Sequence, residues 1–376
     1  MYNNLAPTYQ QSFGEYSVLW YSKSNNYSVV ETEFKTLLDH YLSSESLESF
    51  TSKVTAIDDL SNPTEIAKNL QLYLERCNVE KTQSNQLSLK FNDSKRHIEK
   101  YYRFKDKIFQ INFDSDLVKK TVHPAIAYLE IPESKPQTKF DIYLDGETLC
   151  LFENEQLIIA IPKREYHRLQ GKFVMRLLTI IHDKDESDWL ATFHGSTISD
   201  GDNAILFVGQ SGKGKSTLSA LLTAHGFELV ADDVSPLVSN SKHIYHNPLA
   251  LSIKQGAFDI LRPLISHFDT IPTTIFNKTK GQLKYVPCSM PTKESYPCKS
   301  IVIVDYCEGS ETLLKAISIK ALLEILIPES WLSPNSSHAI QLLTWLKNVD
   351  FYQLTYSNTK SVTENINALF EQLKKD

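Results

Sequence analysis

No feature limits the fold of this chain more than FVGQSGKGKST, residues 207–217, where three of the twelve glycines fall within six positions and a lysine and two hydroxyls follow at once. Gly209, Gly214, Lys215 and Ser216 fit the spacing G-x-x-x-x-G-K-[ST], with Gly212 inside it. In that spacing, backbone without side chains turns its N–H groups towards phosphate oxygens. Ala204–Val208 (AILFV) reads as a short buried strand, and Lys215–His225 reads as a helix with Leu218, Leu221 and Leu222 on one side. A strand, a glycine loop and a helix N-terminus make an anion site, because unpaired N–H groups and the positive end of the helix dipole converge there. Gly209, Gln210, Ser211, Gly212, Lys213, Gly214, Lys215, Ser216 and Thr217 are therefore assigned to the triphosphate of ATP. Lys215 would reach the β- and γ-phosphates, and the Ser216 hydroxyl would be a Mg²⁺ ligand. A dinucleotide site fits less well, since the glycines run G-x-x-G-x-G and such a site has no use for the lysine.

A second acidic element lies downstream. Gly226 suits the position after a helix end, and Phe227–Ala231 (FELVA) reads as the next strand, so Asp232 and Asp233 emerge at its carboxyl end. Ligands of open α/β sheets bind outside the carboxyl ends of the strands, which puts both carboxylates beside the loop. We assign Asp233, with Ser216, to Mg²⁺ and Asp232 to the base that takes the acceptor's proton; the spacing leaves these roles interchangeable. The alternative is a capping or turn pair ahead of Pro236.

From Phe193 to Leu237 the chain resembles the HPr kinase/phosphorylase group, especially its smaller relatives, the HPr-kinase-related kinases. The resemblance is carried by His194-Gly195, by Gly209–Ser216 and by Val230-Ala231-Asp232-Asp233. It extends more weakly over residues 88–370, through LSIK (251–254), GQLKYVP (281–287) and IVIVDYCEGSETLL (301–314). It implies an α/β fold: a P-loop kinase with a phosphoenolpyruvate-carboxykinase-like mixed sheet and flanking helices, acting on a Ser/Thr hydroxyl of a peptide or protein. His194 would orient or shuttle a proton, or be a hydrogen-bonded core residue. A cation for the transition state would come from Arg262, Lys254 or Lys284. Thr217 stands where HPr kinases proper carry an acidic residue, and the arginine-bearing loop of the bifunctional enzymes has no counterpart, so phosphorylase activity is not expected.

The chain as a whole sets bounds. Its 376 residues suffice for two or three domains, and a net charge of −6 disfavours nucleic acid as a partner. The N-terminus lacks a basic segment followed by an apolar one, and no run of about 18 uncharged apolar residues occurs, so a cytoplasmic protein without a membrane partner is expected. Five cysteines without a C-x-x-C describe no disulfide framework, and Cys288, Cys298 and Cys307 match no common zinc spacing.

Residues 1–82 read as a separate domain ahead of a kinase domain over 83–376. YSVLWY (16–21) and NYSVV (26–30) form a hairpin around SKSNN, and helical spacing follows in Phe34–Leu42, Leu47–Val54 and Ile66–Leu74, the last after Ser61-Asn62-Pro63. A hairpin and three helices suggest a small winged-helix α+β domain similar to the PqqD-like peptide-recognition modules, which implies a precursor peptide as partner. Residues 1–81 hold eleven acidic against six basic residues, a net −5 that repels a phosphate backbone. A domain that only packs on the kinase is the alternative. Strands are expected at SLKFN, KIFQINF, FDIYLD, TLCLFE and LIIAIP, and helices over 165–182, ALLEILIPESWL, HAIQLLTWLKNV and VTENINALFEQLKK. Two other functions stay open: a nucleotide-gated peptide-binding scaffold, and an enzyme that uses phosphate to activate a carboxylate. The sequence also leaves a homo-oligomer open.

Overall fold

The computed structural model describes residues 3–55, 62–80, 89–275 and 281–374. The chain is a mixed α/β protein that divides into two compact units. One is Met1–Thr82 with Ala316–Phe351; the other is Gln83–Lys315 with Tyr352–Asp376. Among the described residues, no helix is long and apolar enough to cross a membrane.

In the first unit, β1 (Tyr9–Phe13), β2 (Tyr16–Tyr21) and β3 (Asn26–Glu31) form an antiparallel meander, followed by α1 (Thr32–Leu42), α2 (Leu47–Thr55) and α3 (Pro63–Cys77). The expected hairpin is β2–β3, and β1 is a third strand that the sequence reading did not include. Pro63 opens α3 at the position where its missing N–H costs nothing, and the Asn62 side chain accepts from Glu65 N–H as cap. Leu19, Tyr21 and Val30 pack against Leu38, Phe50, Leu70 and Leu74. The other face of β2 is buried as well: Val18 and Trp20 are fully covered, and Asn25 accepts from Trp20 Nε1 while donating to Leu332 O. The segment Ala316–Phe351, with helices Ile319–Leu326 and Ser336–Leu346, thus belongs to this unit, although the sequence reading placed it in the larger domain. The first of these helices ends at Leu326, with Ile327 still in helical geometry as its C-cap and donating its N–H to Leu323 O; Pro328, which follows, has no N–H with which to continue the ladder.

The second unit opens with β4 (Ile98–Phe104), β5 (Lys107–Phe113), β6 (Thr138–Asp145), β7 (Thr148–Glu153) and β8 (Gln156–Pro162), which lie side by side in that order and carry α4 (Tyr166–Ile181). The expected strand SLKFN does not form over its described part. Leu89 and Phe91 pack against Tyr143, Cys150 and Phe152, Asn92 caps a short turn, and Ser88 lies outside the described residues.

The sheet that bears the loop contains β9 (Trp189–Phe193), β10 (Ser196–Ser199), β11 (Ala204–Val208), β12 (Glu228–Ala231), β13 (Ser235–Val238), β14 (His243–Tyr245) and the long strand Ser295–Tyr306. Between these last two, β15 (Leu251–Lys254), β16 (Thr273–Ile275) and β17 (Gln282–Val286) make a small antiparallel sheet with β17 in the middle, so the long strand is β18. The neighbours run β12, β10, β11, β18, β14, β13, β9. β10 is antiparallel to both β11 and β12, and β11 is parallel to β18. The carboxyl ends of β11, β12 and β18 therefore lie along one edge of the sheet. Helices α5 (Lys215–Ala224) and α6 (Thr359–Leu373) join the same core, where Leu218, Leu221 and Leu222 meet Ile205, Phe207, Leu229, Ile366 and Phe370.

Candidate nucleotide and acceptor site

The loop between β11 and α5 needs its glycines for two different reasons. Gly209 has φ 148°, and a Cβ there would lie 2.8 Å from Val304 O; Gly214, at φ 93°, would bring a Cβ within 3.0 Å of Tyr356 Oη. Any other residue would need both a left-handed backbone and space that neighbouring strands occupy. Lys215 folds back over the loop and donates to Gly209 O and, at 3.3 Å, to Gln210 O. Its ammonium thus lies within the concavity formed by residues 209–214.

The two aspartates, adjacent in sequence, end in opposite environments. Asp232 is 1% exposed. Its Oδ1 accepts from Ser196 Oγ and, at 3.0 Å, from Ser216 Oγ, and its Oδ2 accepts from Ser252 N–H at 3.2 Å. Burial first, and then the charge of Asp233, push the Asp232 carboxyl above its ordinary value, against the three hydrogen bonds. Asp233 takes φ 64°, a region that Asp tolerates better than most residues, and Val234 N–H donates to Asp232 O at 2.7 Å, closing a tight turn around it. Asn247, fully buried, braces both sides of this turn: its N–H donates to Val230 O and its side-chain amide to Val234 O, each at 2.8 Å. The Asp233 side chain is 63% exposed and lies 3.3 Å from His194 Nδ1.

The structure therefore brings His194, Ser216, Asp232 and Asp233 to one edge with the loop, but Ser216 bonds to Asp232, the residue that the sequence reading assigned as base. Among the described residues, no group of three or more His, Cys, Asp and Glu side chains is arranged to hold a metal by itself. A buried carboxylate beside one hydroxyl fits a hard cation whose remaining ligands are phosphate oxygens and water, which is how Mg²⁺ is usually held. Of the three candidate cations, only Lys254 reaches the loop, its Nζ 3.4 Å from Ser211 Oγ. Lys284 is buried and donates to Phe268 O and Ile271 O, and Arg262 pairs with Asp259 and Asp269.

Sequence reasoning missed Ser196 and Ser252. Ser196 has a faint signal, a hydroxyl in the buried strand that follows His194-Gly195. Ser252 acts through its backbone N–H, which any residue but proline provides, so its type carries no signal.

No protein-family model and no curated protein matches the chain. A solved structure, the HPr(Ser) kinase/phosphatase from Coxiella burnetii, is similar to it over 49% of this chain and 93% of that one, at 11% identity and a TM-score of 0.25.

Proposed function

We propose that the larger unit is an ATP- and Mg²⁺-dependent phosphotransferase that acts on a Ser/Thr hydroxyl of a peptide or protein. The observation that carries this reading is the Ser216 hydroxyl, at the end of a glycine loop, hydrogen-bonded at 3.0 Å to a buried carboxylate whose sequence neighbour is solvent-facing and paired with a histidine. When bound, Mg·ATP supplies the phosphoryl group to be transferred. The loop N–H groups and Lys215 hold phosphate oxygens, and Ser216 with Asp232 takes the cation. This exchanges the aspartate roles read from the sequence. Asp232 is too enclosed to meet an acceptor, whereas Asp233 has the exposure that one requires. Asp233 removes the proton from the acceptor hydroxyl, and His194 orients the Asp233 carboxylate. Lys254 places a positive charge over the loop, where charge builds up during transfer.

The acceptor is read as a peptide captured by the first unit. Supporting this is the strand β3, which among the described residues pairs only with β2 and so presents a backbone edge for β-addition, while the net charge of −5 over residues 1–81 weighs against nucleic acid as the occupant. A winged-helix module of the PqqD-like kind is the finer form of this proposal.

The test incubates the full chain with Mg·ATP and a panel of Ser/Thr-containing peptides, with mass detection of products. A peptide that gains a phosphoryl group, lost with Lys215→Ala, is the expected result. Unchanged peptides alongside retained ATP binding would favour a nucleotide-gated scaffold. A dehydrated or cross-linked product would favour carboxylate activation.

A further inference from the structure

The loop contains a second lysine that its motif does not require. Lys213 occupies a free position of G-x-x-x-x-G-K-[ST], yet it is tied to the end of β18 twice. Its carbonyl accepts from Tyr306 N–H at 3.2 Å, and its ammonium lies 2.8 Å from Asp305 Oδ1. The parallel register that sets Val208 against Ile303 puts Asp305 just beyond the point where β11 becomes the loop. Asp305 Oδ1 is shielded from water and finds no well-aligned hydrogen bond, so the nearby ammonium is what offsets its charge. The close approach of the Asp305 carboxylate and its opposite charge in turn hold the Lys213 pKa above its ordinary value.

Packing supports the same seat. Gly214 lies against Tyr306 and Tyr356, the two rings meet edge to face at 5.6 Å, and Cys307 N–H donates to Tyr356 O at 3.0 Å. The two lysines thus have different partners: Lys215 bonds to loop carbonyls at the concavity, and Lys213 is paired with the neighbouring strand.

We infer that Lys213 and Asp305 form a positioning latch that holds the phosphate loop in its binding shape before nucleotide arrives. The inference rests on the nucleotide reading above and assigns neither residue to the chemistry. Holding the loop beforehand removes part of the ordering cost of binding. Its effect belongs in the affinity for Mg·ATP.

Calorimetric titration of Mg·ATP into the full chain, with KM and kcat for ATP turnover, tests it on Lys213→Met, Asp305→Asn, the double variant and Lys213→Arg. For a half-exposed ion pair, each single neutralisation should weaken binding about two- to fivefold. The double variant should be no worse than either single, Lys213→Arg should bind like the parent, and kcat should hold in Asp305→Asn. The parent's advantage should shrink at high salt. Should Asp305→Asn fail to fold by circular dichroism, loss in Lys213→Met with retention in Lys213→Arg still supports the latch, and equal affinity of these two overturns it. If Asp305→Asn binds as well as the parent or better while Lys213→Met loses about tenfold or more, Lys213 contacts phosphate directly and the latch is wrong. Additive losses in the double variant also overturn it. A parent that binds nucleotide as well as all its variants defeats the latch alone; a parent that binds none defeats the nucleotide reading with it.

Discussion

The two walls of the site are built on different principles. The phosphate wall is one continuous run, residues 207–217, in which backbone conformation makes the site and the glycines permit it. The acidic wall is collected from separate strand ends: His194 and Ser196 around the start of β10, Asp232 and Asp233 after β12, Ser252 and Lys254 in β15. A backbone site writes its requirement into the sequence as glycine spacing, while a site made by converging side chains does so only where its members happen to be neighbours. The comparison also separates duties. In the proposed reaction the first wall would hold phosphate whatever the acceptor is, and the second would decide what happens to a cation and a proton.

The largest effect expected lies on the acidic wall. Replacing Asp233 with Asn should lower transfer by about 10²–10⁴-fold, the usual worth of a general base, while Mg·ATP binding measured by titration stays intact. Asp232→Asn should act differently, raising the Mg²⁺ concentration needed for half-maximal turnover by about 10–100-fold. If both variants lose Mg²⁺ equally, the pair is one metal site and the division between the aspartates fails. A smaller change is expected on the phosphate wall. Gly214→Ala must strain φ and displace Tyr356, at a cost of about 1–3 kcal/mol, visible as weaker nucleotide binding and a lower urea midpoint. An alanine variant that binds and unfolds like the parent would show that the loop does not depend on that close approach.

The smallest effect is a pH dependence. Because burial raises the Asp232 pKa above 3.8, the fold loses stability as pH rises from that unfolded value through the folded one, and above both it carries the full cost of a buried carboxylate. A cation on the carboxylate offsets this cost only where the group is ionised. Mg²⁺ added with ADP should therefore raise Tm by about 2–4 °C near neutral pH, with the gain shrinking as pH falls. A gain independent of pH, or one kept by Asp232→Asn, would place the cation elsewhere.

Legibility followed the same divide across the fold. Ala204–Val208 and Tyr16–Tyr21 were readable because apolar, β-branched and aromatic residues dominate them without a charge, and α5 because its leucines keep helical spacing. β1 (YQQSF) and β4 (IEKYYRF) were not, since glutamines and charges hide their alternation and their place comes from pairing with β2 and β5. In the helix Ile319–Leu326, spacing tells that Ile319, Leu322, Leu323 and Leu326 are buried together, but nothing in the segment names its receiving surface. The aspartate roles were hidden for a related reason. Two identical residues in a row look equivalent until the turn at Asp233 sends one carboxylate inward to Ser216 and leaves the other facing solvent beside His194.

The central claim, that residues 209–217 bind the triphosphate of Mg·ATP, is tested most directly by calorimetric titration of Mg·ATP into the full chain and into Lys215→Ala. The account predicts saturable one-site binding by the parent, strengthened by Mg²⁺, and loss of that binding in the variant although circular dichroism shows it folded. No binding by the parent, or equal binding by both proteins, would contradict it.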